Sequence, residues 1–290
     1  MATVAEWIEG ARPRTLPNAV APVLAGVGAT VQLGAFTWWQ SLLALLVALA
    51  LIVGVNFAND YSDGIRGTDT ERVGPLRLVG SGVAKPKVVL AAALASLGTA
   101  GVLGVVLVAA TGTWWLLLLG AACIAGAWFY TGGRRPYGYA GLGEVAVFVF
   151  FGLAAVLGTV YVQAGTVSWQ ALGCAVAIGS LSTGVLVANN LRDIPTDRES
   201  GKHTLAVKLG DGGTRRLYLA LVGVPFVVTV ALAFANPLAL LGLLAAPLLL
   251  VPVRTIAGGG QGRALIPVLG GTGMAMLAWA VLTGAALAFS

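Results

Sequence analysis

The chain has 290 residues, of which 58% are hydrophobic and only 10% charged, with a mean hydropathy of +0.91. That composition lies far outside the range of water-soluble globular domains and places most of the chain in lipid. Seventeen Lys and Arg against eleven Asp and Glu give a net charge of +6, but the basic residues are dispersed over short polar segments without a nucleic-acid-binding module, so nucleic acid is not expected as a partner.

The polar start, with Glu6, Glu9, Arg12 and Arg14, leaves no room for an apolar leader, and no cleaved signal sequence is expected. Trp7, Ile8 and Ala11 beside those acids predict a short interfacial helix that positions the first span. A membrane helix needs about 20 predominantly apolar residues. Nine such stretches follow, at 14–33, 38–58, 88–110, 113–131, 143–163, 168–190, 217–235, 238–255 and 265–288, the seventh and eighth meeting at Asn236-Pro237. The expected fold is therefore an all-α polytopic membrane protein, one domain over 1–290. Cys123 and Cys174 lie inside spans without metal-site spacing and read as packing residues. His203, the one histidine, reads as a loop residue.

All 17 basic residues fall in the N-terminal segment or in four loops, 59–87, 132–142, 191–216 and 254–264. The connections around 34–37, 111–112, 164–167 and 236–237 have none, which places the N-terminus and the basic loops in the cytoplasm and, with nine spans, the C-terminus outside. Trp38, Trp39, Trp114, Trp115 and Trp169 at the opposite ends form the expected aromatic belt. Loops 59–87 and 191–216, with mixed charges and Gly or Pro breaks, are expected to cap a cavity opening.

The second and sixth spans end in related polar clusters, NFANDYSDGIRGTD (Asn56 to Asp69) and NNLRDIPTD (Asn189 to Asp197). Aligning Asp63 with Asp193 pairs Asn59 with Asn189, Asp60 with Asn190 and Gly67 with Asp197, which predicts a parallel repeat of spans 1–4 and 5–8 with a ninth added. If the helices continue into the clusters, Asn56, Asp60 and Asp63 share one face, as do Asn190, Asp193 and Asp197. Both clusters sit at helix C-terminal ends, where the macrodipole disfavours an anion by roughly 0.3–1 kcal/mol. Capping does not explain them, and a bound cation would. Mg²⁺ suits the donors, because it combines one or two carboxylates with waters and substrate phosphates. Arg66, Arg72, Arg77, Arg192 and Lys202 are nearby partners for phosphate oxygens. Glu144 can serve as a first-turn acid favoured by the helix dipole or as a supporting residue of the site. A transporter is the reading from another class, since repeated bundles with interrupted acidic helices occur there; it predicts acids at the bilayer midplane, whereas these gather at one face.

These residues resemble the UbiA superfamily of intramembrane aromatic prenyltransferases, whose two motifs are approximately NDxxDxxxD and DxxDxxxD. Asn59, Asp60 and Asp63 match the first, with Gly67 in place of its last acid and Asp69 two residues later; Asp193 and Asp197 match the second, with Asn190 in place of its first acid. ARPRTLPNAVAPVLAG (Ala11 to Gly26), YTGGRRPYGYAGLGE (Tyr130 to Glu144) and NNLRDIPTDRESGKHTLAVKLG (Asn189 to Gly210) narrow the resemblance to the branch that prenylates 1,4-dihydroxy-2-naphthoate in menaquinone synthesis. The resemblance implies a nine-helix bundle in the cell membrane with its site facing the cytoplasm. It further implies Mg²⁺ on Asp60, Asp63, Asp193 and Asp197, a polyprenyl diphosphate oriented by Asn56, Asn59, Asn190, Arg66 and Lys202, and an aromatic acceptor near Tyr130, Arg134, Arg135 and Tyr137. 4-Hydroxybenzoate and homogentisate remain open as acceptors, and the wall of the bundle is expected to open to membrane lipid for the polyprenyl tail.

Overall fold

The computed structural model describes residues 2–67 and 76–289. Asp69 and Arg72, and the predicted loop segment around them, lie outside the described residues. Within them the chain is all helical: α1 Val4–Gly10, α2 Pro17–Gln32, α3 Trp38–Arg66, α4 Pro86–Thr111, α5 Leu116–Phe129, α6 Gly143–Ala164, α7 Trp169–Glu199, α8 Leu205–Ala233, α9 Pro237–Ala257 and α10 Gly262–Ala288. Seven of these, α3, α4 and α6 to α10, are long and apolar enough to cross a membrane. The predicted spans 14–33 and 113–131 are occupied by α2 and α5, helices of 16 and 14 residues.

Small residues set the packing. Helix α7 is the innermost, 72% buried against 22–44% for the other six, and Ala171, Cys174, Ala175, Ala177 and Ile178 on it are fully enclosed. It packs against α2, α6, α8 and α10. Where α2 crosses α10, a β-carbon on Gly28 would lie 2.3 Å from the Gly284 carbonyl oxygen; where α6 crosses α7, one on Gly152 would lie 2.5 Å from the Gly179 Cα. Helices in lipid gain affinity by such close backbone approach, because neighbouring lipid tails are as apolar as any side chain.

Both cluster helices run beyond the spans read from hydropathy. Helix α3 continues through Arg66 and α7 through Glu199, about two further turns in each case. The 191–216 segment is consequently no loop: only 200–204 connects the helices, and α8 begins at Leu205 with a break at Gly210 (φ 68°). Helix α6 is irregular, since Phe148–Leu157 is wound as a π-helix, a form that usually occurs as a single turn at functional sites.

The N-terminal segment and the stretch after the described gap form a cover over the cluster ends. Thr3 and Glu6 close a capping box on α1, and the exposed Thr3 partners lower the Glu6 pKa. Leu78 is fully buried, and a β-carbon on Gly10 would meet its side chain at 2.6 Å. The Glu9 carboxylate accepts from the Leu76 N–H at 3.1 Å. Asp60 accepts from the Leu78 and Val79 N–H groups at 2.8 and 3.0 Å.

Candidate active site

A cavity of about 1180 Å³ lies between α2, α3, α5, α6 and α7 beneath this cover. Its polar end carries Asn59 and Asp63 from α3, Asn189, Asn190, Arg192, Asp193 and Asp197 from α7, and Lys202 from the following turn. Arg12 and Arg77 enter from the cover. Deeper in, the walls are apolar, with Ala48, Leu51 and Ile52 on α3, Ala127 on α5, and Phe150, Phe151 and Ala155 on α6. One volume therefore holds anions and cations at one end and hydrocarbon-compatible surface at the other.

Asp63, Asp193 and Asp197 are all buried, and each is held by hydrogen-bond donors. Lys202 lies 3.7 Å from Asp63, which links the first cluster to the segment following the second. Tyr139 donates its hydroxyl to Asp63, and the Lys202 ammonium sits 4.5 Å from the centre of the same ring, a cation–π distance. Arg192 grips Asp193 with two nitrogens, at 2.7 and 3.0 Å, and reaches the Asn189 carboxamide oxygen at 2.9 Å. Thr204 donates to Asp197 at 3.4 Å. Charges kept out of water persist only when paired in this way.

Several residues singled out by spacing stand elsewhere. Asp60 is fully buried but does not line the cavity, and both its oxygens are engaged by the Leu78 and Val79 backbone. These two bonds tie α3 to the cover. Asn56 lines the cavity, yet its amide nitrogen is directed to the Ala11 carbonyl at 2.9 Å and the Thr15 hydroxyl at 2.8 Å, which pins the loop carrying Arg12. Arg66 is exposed at the rim, donating to the Thr131 and Gly133 carbonyls and flanking the Tyr139 ring at 5.5 Å. Arg134 and Arg135 are exposed and lie outside the cavity lining. Tyr130 and Tyr137, by contrast, line the cavity and stack edge to face at 5.6 Å. Burial pushes the Tyr137 pKa up to about 12, and its hydroxyl donates to the Gly126 carbonyl at 2.6 Å. His203 is exposed and outside the lining, as its loop reading implied.

Spacing missed Tyr139, Arg12 and Asn18, which also line the cavity. Arg12 carried one signal in retrospect: it is the only non-glycine described with positive φ (56°), a strained conformation that bulky side chains adopt only where the surroundings enforce it.

The donor set can be tested against Mg²⁺. The lining offers hard oxygens, the carboxylates of Asp63, Asp193 and Asp197 and the carboxamides of Asn59, Asn189 and Asn190, with no histidine. Among the described residues no three Asp, Glu, His or Cys side chains converge into a ready-made metal cage. That arrangement fits a hard cation which takes one or two carboxylates and completes its shell with phosphate and water.

Comparison with known proteins agrees with this chemistry. A protein of Mycobacterium tuberculosis named 1,4-dihydroxy-2-naphthoate octaprenyltransferase is 60% identical over 289 residues, covering 100% of this chain and 99% of its own. The Escherichia coli protein of the same name is 39% identical over 269 residues, covering 86% and 84%. Among solved structures, the apo UbiA homolog from Aeropyrum pernix K1 superposes with a TM-score of 0.70 at 18% identity, covering 93% of this chain and 96% of its own. The Archaeoglobus fulgidus UbiA homolog bound to GPP and Mg²⁺ gives 0.65 at 15% identity, covering 97% and 99%; at such identity the likeness is one of fold. Residues 19–259 match the UbiA prenyltransferase family as a whole, and the chain belongs to that family of membrane enzymes.

Proposed function

We propose that the protein transfers a polyprenyl group from polyprenyl diphosphate to 1,4-dihydroxy-2-naphthoate in a Mg²⁺-dependent reaction that releases carbon dioxide and gives demethylmenaquinol. The observation that carries this reading is the single cavity with buried acids and cations at one end and apolar walls at the other. The names of the 60% and 39% identical relatives supply the acceptor.

Lys202, Arg192, Arg77 and Arg12 are placed to meet diphosphate oxygens as charge-assisted donors. Asp63 on α3 and Asp193 and Asp197 on α7 would hold Mg²⁺, whose chemistry there is to stabilise the charge developing on the diphosphate. The allylic C–O bond breaks with its electron pair leaving on the diphosphate. Phe150, Phe151, Ile52 and Ala155 keep water from the resulting cation. The acceptor carbon bearing the carboxylate forms the new C–C bond, and loss of carbon dioxide returns an electron pair to the ring. Tyr130 and Tyr137 border the space available to the acceptor. Tyr137, with a pKa of about 12, stays a neutral donor throughout the working pH range.

The same reading takes the chain as one UbiA-like domain over 1–290 with repeated halves. Nine helices cross the cell membrane, the N-terminus is cytoplasmic and the C-terminus outside, and the clusters face the cytoplasm. The basic loops and the tryptophans exposed at the far helix ends, Trp38, Trp114, Trp115 and Trp169, support that orientation.

Chelation should abolish turnover and added Mg²⁺ restore it, because carboxylates cannot bind a diphosphate without an intervening cation. Full activity in excess chelator would refute the metal requirement. In a competition among dihydroxynaphthoate, 4-hydroxybenzoate and homogentisate, the naphthoate product and stoichiometric carbon dioxide are expected to dominate. A dominant product from another acceptor, detected by mass spectrometry, would overturn the acceptor assignment alone. Arg134→Ala and Arg135→Ala should leave the acceptor KM close to that of wild type, since both side chains are exposed and lie outside the cavity lining.

A further inference from the structure

Glu144 begins α6 and is 5% exposed. One carboxylate oxygen accepts from the Asn190 amide nitrogen at 2.9 Å, and the other is buried with no hydrogen-bond partner among the described residues. Burying a poorly compensated carboxylate is costly, so a purely structural tether between α6 and α7 would be served better by a neutral side chain. The site does contain such tethers: the Thr183 hydroxyl already donates to the Glu144 carbonyl at 3.4 Å. What the Glu144 carboxyl oxygen facing Asn190 offers that an amide or hydroxyl does not is one-sidedness, because it accepts and cannot donate.

That property matters for Asn190. Its carboxamide has an oxygen end and a nitrogen end of nearly the same shape, and only hydrogen bonding decides which end points where. Asn190 lines the cavity, whereas Glu144 does not. With the nitrogen committed to Glu144, the oxygen is the end left for the cavity. Asn190 stands beside Asp193 and Asp197 on one face of α7, where the second cluster has a neutral residue aligned with Asp60 of the first.

We infer that Glu144 is a positioning residue that locks the Asn190 carboxamide with its oxygen toward the cavity, making Asn190 an oxygen donor of the cation and diphosphate site. The inference rests on the Mg²⁺ reading above. A glutamine at 144 could donate as well as accept, and would let the Asn190 carboxamide turn its N–H groups toward the cation.

The test measures thermal stability of the purified protein in detergent against Mg²⁺ concentration, with inorganic pyrophosphate as the probe, alongside steady-state kinetics. For Glu144→Gln, the Mg²⁺ concentration giving half-maximal stabilisation should rise by about 10-fold, with the same shift in the Mg²⁺ dependence of turnover and an unchanged acceptor KM. The exchange Glu144→Gln with Asn190→Asp keeps the hydrogen bond with its direction reversed and restores an oxygen to the cavity, so it should recover most of the wild-type Mg²⁺ dependence. Asn190→Asp alone sets two carboxylates against each other and should not. If Glu144→Gln lowers the melting temperature without moving the Mg²⁺ dependence, or if the exchange fails to recover it, the orientation role is overturned. If wild-type protein shows no Mg²⁺-dependent stabilisation with pyrophosphate, the metal reading itself fails and the inference falls with it.

Discussion

Asp63→Ala and Asp193→Ala should each reduce turnover by about 10³-fold or more, the loss expected when a group acting directly on transition-state charge is removed. Both side chains are buried at the polar end of the cavity, on opposite cluster helices, and both are paired with cations that the diphosphate would engage. Each change also leaves a buried cation, Lys202 or Arg192, without its carboxylate, so melting temperatures should fall too. Turnover by purified, folded variants, measured with saturating Mg²⁺, decides the matter. Retention of more than about a tenth of the wild-type rate by either variant, against the ~1.4 kcal/mol that a factor of 10 represents, would remove that residue from the site.

Asp60→Ala should behave differently. It leaves the Leu78 and Val79 N–H groups without their acceptor in a buried setting, at about 1–3 kcal/mol for each unsatisfied group. The expected result is a markedly lower melting temperature and easier proteolysis between Leu76 and Lys85. The same cover carries Arg77 into the cavity, so the KM for the diphosphate should rise while kcat falls far less than in Asp63→Ala. An Asp60→Ala protein of wild-type stability with no turnover would return Asp60 to the metal-binding set.

Helix geometry shows why the motif alone did not separate these two aspartates. At 3.6 residues per turn, measured from Asn56, Asp60 lies at about +40°, Asp63 at about −20° and Asn59 at about −60° around α3. The apolar lining residue Ile52 falls at about −40° by the same count. The cavity is thus centred on the Asn59 side, and Asp60 is the flank. Spacing identifies a shared face, but the neighbour against each part of it comes from distant sequence, here Leu78 and Val79. The apolar spans were legible because lipid imposes a length and a composition. Their polar ends were not, because the polar residues of Asp60 to Arg66 and Leu191 to Glu199 lower the hydropathy while leaving the helix intact. Tyr139 was concealed for a different reason. It belongs to a short turn, Tyr137–Ala140, which has no periodicity to reveal which of its rings faces the acids.

The π-wound stretch of α6 has a consequence for the evolution of the enzyme. A π-helix contains more residues per turn than an α-helix, so Phe148–Leu157 is poised one deletion away from a tighter winding. Losing a single residue there would let one turn relax to α-winding, leaving the hydrogen-bonded rod continuous and the flanking helix close to its register, while changing which side chains of the stretch, Phe150 and Phe151 among them, face the cavity. Insertions and deletions normally collect in loops because they break regular structure. Here one could be absorbed inside a membrane helix, giving this lineage a single-step route to reshape the hydrocarbon wall without touching a charged residue.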